Sequence, residues 1–154
     1  MEIPDRSMIN YPPLKTAFTL EAYDTFLIRL GANVAAVSSV NHREENVNMA
    51  IELFKTLLNG LEEKGVIQRN EAYESAWCLN EDISDIEFTA LIKTFFHHLT
   101  LMLGCGSPVK VPWLHIIRLF LRHDETPFKE QIKTMKAQQD TIDKMSRLLS
   151  EILP

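Results

Sequence analysis

Apolar side chains recur along most of this chain at the three-to-four-residue spacing of a helix face, and no alternation of apolar and polar positions runs beyond four residues. The clearest stretch is ISDIEFTALIKTFFHHLTLML, residues 83–103. Ser84 and Glu87 have the spacing of a capping box, in which hydroxyl and carboxylate each satisfy one of the first backbone N–H groups of a helix. Ile83 before the cap and Phe88 after it are placed for a hydrophobic staple, Asp85 puts negative charge where the helix dipole favours it, and Gly104 ends the run. Asp85, Thr89, Lys93, His97 and Thr100 form one narrow polar stripe, and Ile86, Leu91, Ile92, Phe95, Phe96, Leu99 and Leu101 fill most of the remaining circumference. A helix so apolar around its circumference has to be covered on several sides by others.

The flanking sequence supplies the covering elements. Thr19 is placed to cap a helix over 20–39 that carries Tyr23, Phe26, Leu27, Leu30, Val34 and Val37, with Gly31, Ala32, Ala35 and Ala36 small enough for a neighbour to approach. Asn41 and Glu44 read as a second capping box, opening a helix over 42–64 with Val47, Ala50, Ile51, Phe54, Leu57, Leu58 and Leu61 on one face and Gly65 beyond its end. A short helix is expected over 68–80, with Asn70 as its cap and Tyr73, Ala76 and Trp77 on its apolar side. The loop GCGSPVKVP then leads to Pro112, which opens a helix over 112–122. Thr126 and Pro127 open a last helix over about 127–153, roughly 40 Å long at 1.5 Å per residue. Residues 1–18, with Pro4, Pro12 and Pro13, read as an extended arm. The expectation is an all-α fold: one helical domain over 19–154, a single compact bundle of five or six helices around the central helix 84–103.

Composition narrows the function classes. An apolar fraction of 45% over 154 residues is enough to build a core without a metal or a disulfide. The net charge of −5 disfavours general binding to a nucleic-acid backbone. The charge is uneven, with 1 basic and 6 acidic residues over 65–92 against 9 basic and 6 acidic over 93–154, a polarity that solvated helix faces or a steered partner would both produce. Cys78 and Cys105 lie far apart without CxxC spacing, which fits free thiols in a reducing compartment. The first residues lack a basic region followed by an apolar run, and Lys93, His97 and His98 interrupt the longest apolar segment, so neither a secretory signal nor a membrane span is expected and the cytoplasm is the natural location.

Candidate chemistry is sparse. His97 and His98 are adjacent and point about 100° apart on a helix, so they do not grip one ion. Phosphate-loop, dinucleotide and nucleophile-elbow motifs are absent, and the acid pairs Glu44–Glu45, Glu62–Glu63 and Glu81–Asp82 lie where caps and dipole partners belong. Arg118 and His123 form R-x4-H, a spacing similar to the motif of the HEPN ribonucleases, all-α proteins in which a dimer brings two such pairs to RNA. The resemblance covers these two residues alone, and Leu119 stands where that family carries a polar residue. What it implies is RNA cleavage, with the imidazole handling a 2′-hydroxyl proton and the guanidinium holding the phosphate.

The strongest functional pattern is on the last helix. Phe128, Ile132, Met135, Ile142, Met145, Leu149 and Ile152 follow a near-heptad stripe interrupted by Gln139. These residues are the expected partner-binding surface, with methionines suited to an adaptable apolar contact. The expected function is that of a non-enzymatic adaptor, chaperone-like or inhibitory protein that binds another protein or a second copy of itself, with no catalytic, cofactor or metal residues. The alternative is a helical RNA-binding or RNA-cleaving protein using Arg118 and His123.

Overall fold

The computed structural model describes residues 7–69, 77–80, 82–121 and 138–154, with side chains from residue 22 onward. The chain forms α1 (Ser7–Val37), a single 3-10 turn at Val40–His42, α2 (Arg43–Glu63), strands β1 (Ile67–Arg69) and β2 (Trp77–Leu79), α3 (Asp85–Met102), α4 (Trp113–Leu119), strand β3 (Phe120–Leu121) and α5 (Gln139–Ile152). The fold is mostly helical, as the periodicity predicts.

α3 is the helix marked out by the sequence. Ser84 Oγ accepts from the Glu87 N–H at 3.1 Å and Glu87 Oε1 accepts from the Ser84 N–H at 3.1 Å, so the capping box is formed at both ends. At the other terminus Gly104, at φ +63, lets the Cys105 N–H reach Thr100 O and its own N–H reach Leu101 O, a Schellman closure. Gly65, at φ +73, closes α2 in the same way, through Val66 N–H to Leu61 O and its own N–H to Glu62 O.

A run of aromatic contacts threads a largely aliphatic core. Phe26 of α1 stacks on Phe54 of α2, Phe54 meets Phe95 of α3 edge to face, and Phe95 meets Phe96. Phe88 at the start of α3 meets Phe120, which in turn lies against Trp77 and so joins the small sheet to the helices. Phe26, Leu30 and Val34 are wholly buried, at the i, i+4, i+8 positions read from the sequence. At Gly31 an added Cβ would stand 3.2 Å from Val47 Cγ1, which confirms the close approach its small side expects.

Several expectations are corrected. The extended arm over 1–18 gives way to helix from Ser7; Pro12 and Pro13 fix φ near the helical value and so allow it, each at the loss of one intrahelical hydrogen bond. No capping box forms at Asn41 and Glu44: the 3-10 turn occupies Val40–His42, and α2 begins at Arg43 without a side-chain cap. The short helix over 68–80 is not formed at its described ends. Ile67–Arg69 pairs antiparallel with Trp77–Leu79, with Ile67 opposite Leu79, and Trp77 pairs in parallel with Phe120. Pairing with β2 also ends α4 at Leu119, since Phe120 takes an extended backbone at φ −121, ψ 131. The last helix is not continuous over 127–153, because Gln138 is extended at φ −68, ψ 151 and α5 starts only at Gln139. Residues 122–137 lie outside the described residues.

Candidate functional site

α3 buries Phe88, Leu91, Ile92, Phe95, Phe96 and Leu99, but one side of it reaches solvent. Lys93, His97 and Leu101 follow at i, i+4, i+8 on that side, and all three are exposed. Leu101 is 66% exposed and Met102 is 42% exposed, on a helix whose other large apolar residues from Phe88 to Leu99 are buried. Thr89, counted in the polar stripe, is wholly buried instead, its hydroxyl donating back to Asp85 O at 2.7 Å.

Two depressions flank this ridge and share His97 and Leu101 as a common wall. The first, about 420 Å³, lies between the ridge and the loop over 105–111. That loop is fixed by Thr100, whose Oγ1 donates to Phe96 O and accepts from the Val109 N–H at 2.9 Å, and by Gly106 N–H, which donates to Val37 O at 3.1 Å. The second, about 360 Å³, lies between the ridge and the end of α5, where Ser146, Ser150 and Leu153 form the opposite wall and Thr94 and His98 the near one. Their volumes are those of ligand-sized clefts, and their shared wall is aliphatic at Leu101 and imidazole at His97.

A buried polar knot supports the ridge from beneath. Asn46 Nδ2 donates to Ser38 Oγ at 3.0 Å and to Leu103 O at 3.1 Å, and Ser38 Oγ donates to Val34 O at 2.7 Å, with Cys105 Sγ 3.8 Å away. The end of α1, the start of α2 and the end of α3 are thereby held together where the ridge meets the 105–111 loop.

The chain matches no family model, no curated protein and no solved structure. Function is therefore argued from its own residues.

The expected partner surface on the last helix does not stand as a free face where it is described. Met145 is 2% exposed and Leu149 4%, both in the core, while Ile142 and Ile152 are half-buried. Phe128, Ile132 and Met135 lie outside the described residues. The physical reason is amphipathicity: Asp140, Asp143, Lys144, Arg147 and Glu151 face water, leaving the apolar side to cover α2 and α3. Two surface ion pairs hold α5 there, Lys144 to Glu87 of α3 and Lys64, just past the end of α2, to Glu151 at 2.7 Å.

Arg118 is exposed in the last turn of α4, and His123 lies outside the described residues. The helix ends at Leu119, so the five-residue spacing between them is not carried on one helical face. Among the described residues no three His, Cys, Asp or Glu side chains come together as a metal site would require, and no helix is long and apolar enough to cross a membrane. Cys78 and Cys105 are both partly buried.

The exposed ridge corrects the expectation that Leu101 belongs to the covered circumference of this helix. Position 101 falls on the same face as Lys93 and His97, and that spacing alone separates it from the buried positions 95, 96 and 99.

Proposed function

We propose that this protein is a non-enzymatic interaction module, an adaptor, chaperone-like or inhibitory protein of the cytoplasm, that binds another protein or a second copy of itself through the outer face of α3. The observation that carries the reading is Leu101, 66% exposed on a helix with eight buried residues, standing between two depressions. A single exposed leucine is ordinary on a protein surface. Leu101 differs in having Met102 exposed beside it and a concavity on either side, which together offer a partner an apolar anchor with clefts to fill. Cys78 and Cys105, far apart in the sequence and without CxxC spacing, support a reducing location.

The test is site-specific photo-crosslinking in the expressing cell from position 101, with position 140 on the polar side of α5 as control. The expected result is a discrete adduct, to a partner or to a second copy, formed from position 101 alone and lost when His97 and Met102 are changed to Asp. The same adducts from both positions, or none from position 101, overturn the reading.

A further inference from the structure

A second surface, independent of the ridge, lies where α1 packs along α4. Asn33 Nδ2 donates to Lys110 O at 2.8 Å and so ties α1 to the segment leading into α4. Arg29 of α1 and Arg118 of α4 are both exposed, and their charges both reach the half-buried His115 imidazole. In a chain with 21 acidic and 16 basic residues, opposite charge is abundant. Lys55, Lys64, Arg69 and Lys144 each pair with a glutamate. Neither Arg29 nor Arg118 has an ion-pair partner among the described residues. Burial first, and then the two guanidiniums, hold the His115 pKa below its ordinary value. Ile28, 74% exposed, adjoins Arg29, and Leu114, 61% exposed, adjoins His115 and shares a helix face with Arg118 at i, i+4 spacing.

We propose that the Arg29–His115–Arg118 face is a docking surface for an acidic segment of a partner protein, one that carries aliphatic side chains beside its carboxylates. Exposed cations held together on an acidic protein make a local field that attracts carboxylates and raises their rate of encounter. Arginine presents a planar fork that matches a carboxylate with two hydrogen bonds. Ile28 and Leu114 give the aliphatic part of such a segment its contact. A nucleic-acid backbone would use the cations and leave both aliphatic side chains bare, and two arginines release too few counterions to hold it against a net charge of −5.

Fluorescence anisotropy with the full chain tests this. The probe is a labelled helical peptide with Leu at i and i+4 and Glu at i+1 and i+5, run beside the same peptide with Gln for Glu and beside a labelled single-stranded RNA. The Glu peptide is expected to bind, to weaken as salt rises, and to lose about tenfold or more in affinity with the double variant Arg29→Glu, Arg118→Glu. Leu114→Ser also weakens it, and Leu101→Asp leaves it unchanged, which separates this surface from the α3 ridge. Should the double charge reversal disturb the far-UV circular dichroism, Arg29→Gln with Arg118→Gln replaces it with the same expected direction. Absence of binding, equal binding of the Gln peptide, tighter binding of the RNA, or affinity indifferent to both double variants overturns the proposal.

Discussion

Ile152 lies directly over Gly60, with its Cβ 3.0 Å from the point where a Cβ on Gly60 would stand and both of its γ carbons nearer still. A glycine inside a helix costs roughly 1 kcal/mol relative to alanine, so Gly60→Ala would raise the propensity of α2 by about that amount. The same methyl would overlap the branched carbon of Ile152, not merely the end of a flexible chain, and overpacking of this kind costs about 1–3 kcal/mol. The clash wins. Gly60→Ala is therefore expected to lower the urea midpoint, and adding Ile152→Ala is expected to make the alanine at 60 neutral or favourable. A double-mutant cycle by chemical denaturation measures the coupling, and additive effects would show that α5 does not seat on Gly60.

Glu87 ties two terminal interactions together, accepting from the Ser84 N–H with one carboxylate oxygen and from Lys144 of α5 with the other. The hydrogen bond from Lys144, and after it the one from the Ser84 backbone, hold its pKa below the ordinary value of 4.5. A carboxyl whose folded pKa is depressed adds stability that is fully present above the unfolded value and disappears as pH falls through the folded one. Unfolding midpoints at neutral pH and below pH 4.5 are thus expected to show a loss of stability on acidification that shrinks in Glu87→Gln, which keeps the capping geometry without the charge. Ser84→Ala is expected to cost about 1 kcal/mol at either pH.

How much was legible depends on how local the cause is. The ends of α3 are fixed by residues within a few positions of each other, Ser84 with Glu87 and Gly104 with Leu101, and they were readable. The strands were not, since each has three residues or fewer and owes its extended backbone to a remote partner, Ile67 to Leu79 and Trp77 to Phe120. The end of α4 fails for the same reason: helical spacing through Arg122 continues in the sequence, yet Phe120 is taken by Trp77. Asn41 and Glu44 have the spacing of a cap, but the turn over Val40–His42, closed by His42 N–H to Ser39 O, occupies the place where it would form. The apolar stripe on α5 was correct as a pattern, and only the tertiary arrangement decides that Met145 and Leu149 turn toward this chain's own core.

That assignment makes the cores of α5 and α3 one energetic unit. Met145 is 2% exposed, and replacing it with Asp buries a carboxyl without a partner, one of the few changes expected to cost more than about 4 kcal/mol. Met145→Asp is therefore expected to unfold the protein at room temperature or to collapse its thermal transition. Arg147→Asp, two positions on and exposed, is expected to stay within about 0.5 kcal/mol of the parent. Circular dichroism melts distinguish the two. A folded Met145→Asp protein that had merely lost self-association would show the stripe to be an interface after all.

Asn46 is the most exacting polar position in the fold, 7% exposed and donating through one nitrogen to both Ser38 Oγ and Leu103 O. Asn46→Ala leaves the Leu103 carbonyl without that donor in a buried place, at an expected cost of about 1–3 kcal/mol. Asn46→Asp has the same shape but sets a carboxylate against the carbonyl and hydroxyl oxygens that need a donor, so at neutral pH it is expected to cost more than the alanine. Burial and the facing carbonyl would raise the pKa of that new carboxyl above its unfolded value near 3.9. The penalty is then present above the raised value and is relieved as pH falls through it, because the protonated acid regains one donor. Denaturation of Asn46→Asp and of the parent at the same series of pH values is expected to show their difference narrowing on acidification. A difference that stays constant with pH would mean that residue 46 does not face Leu103 O as a donor.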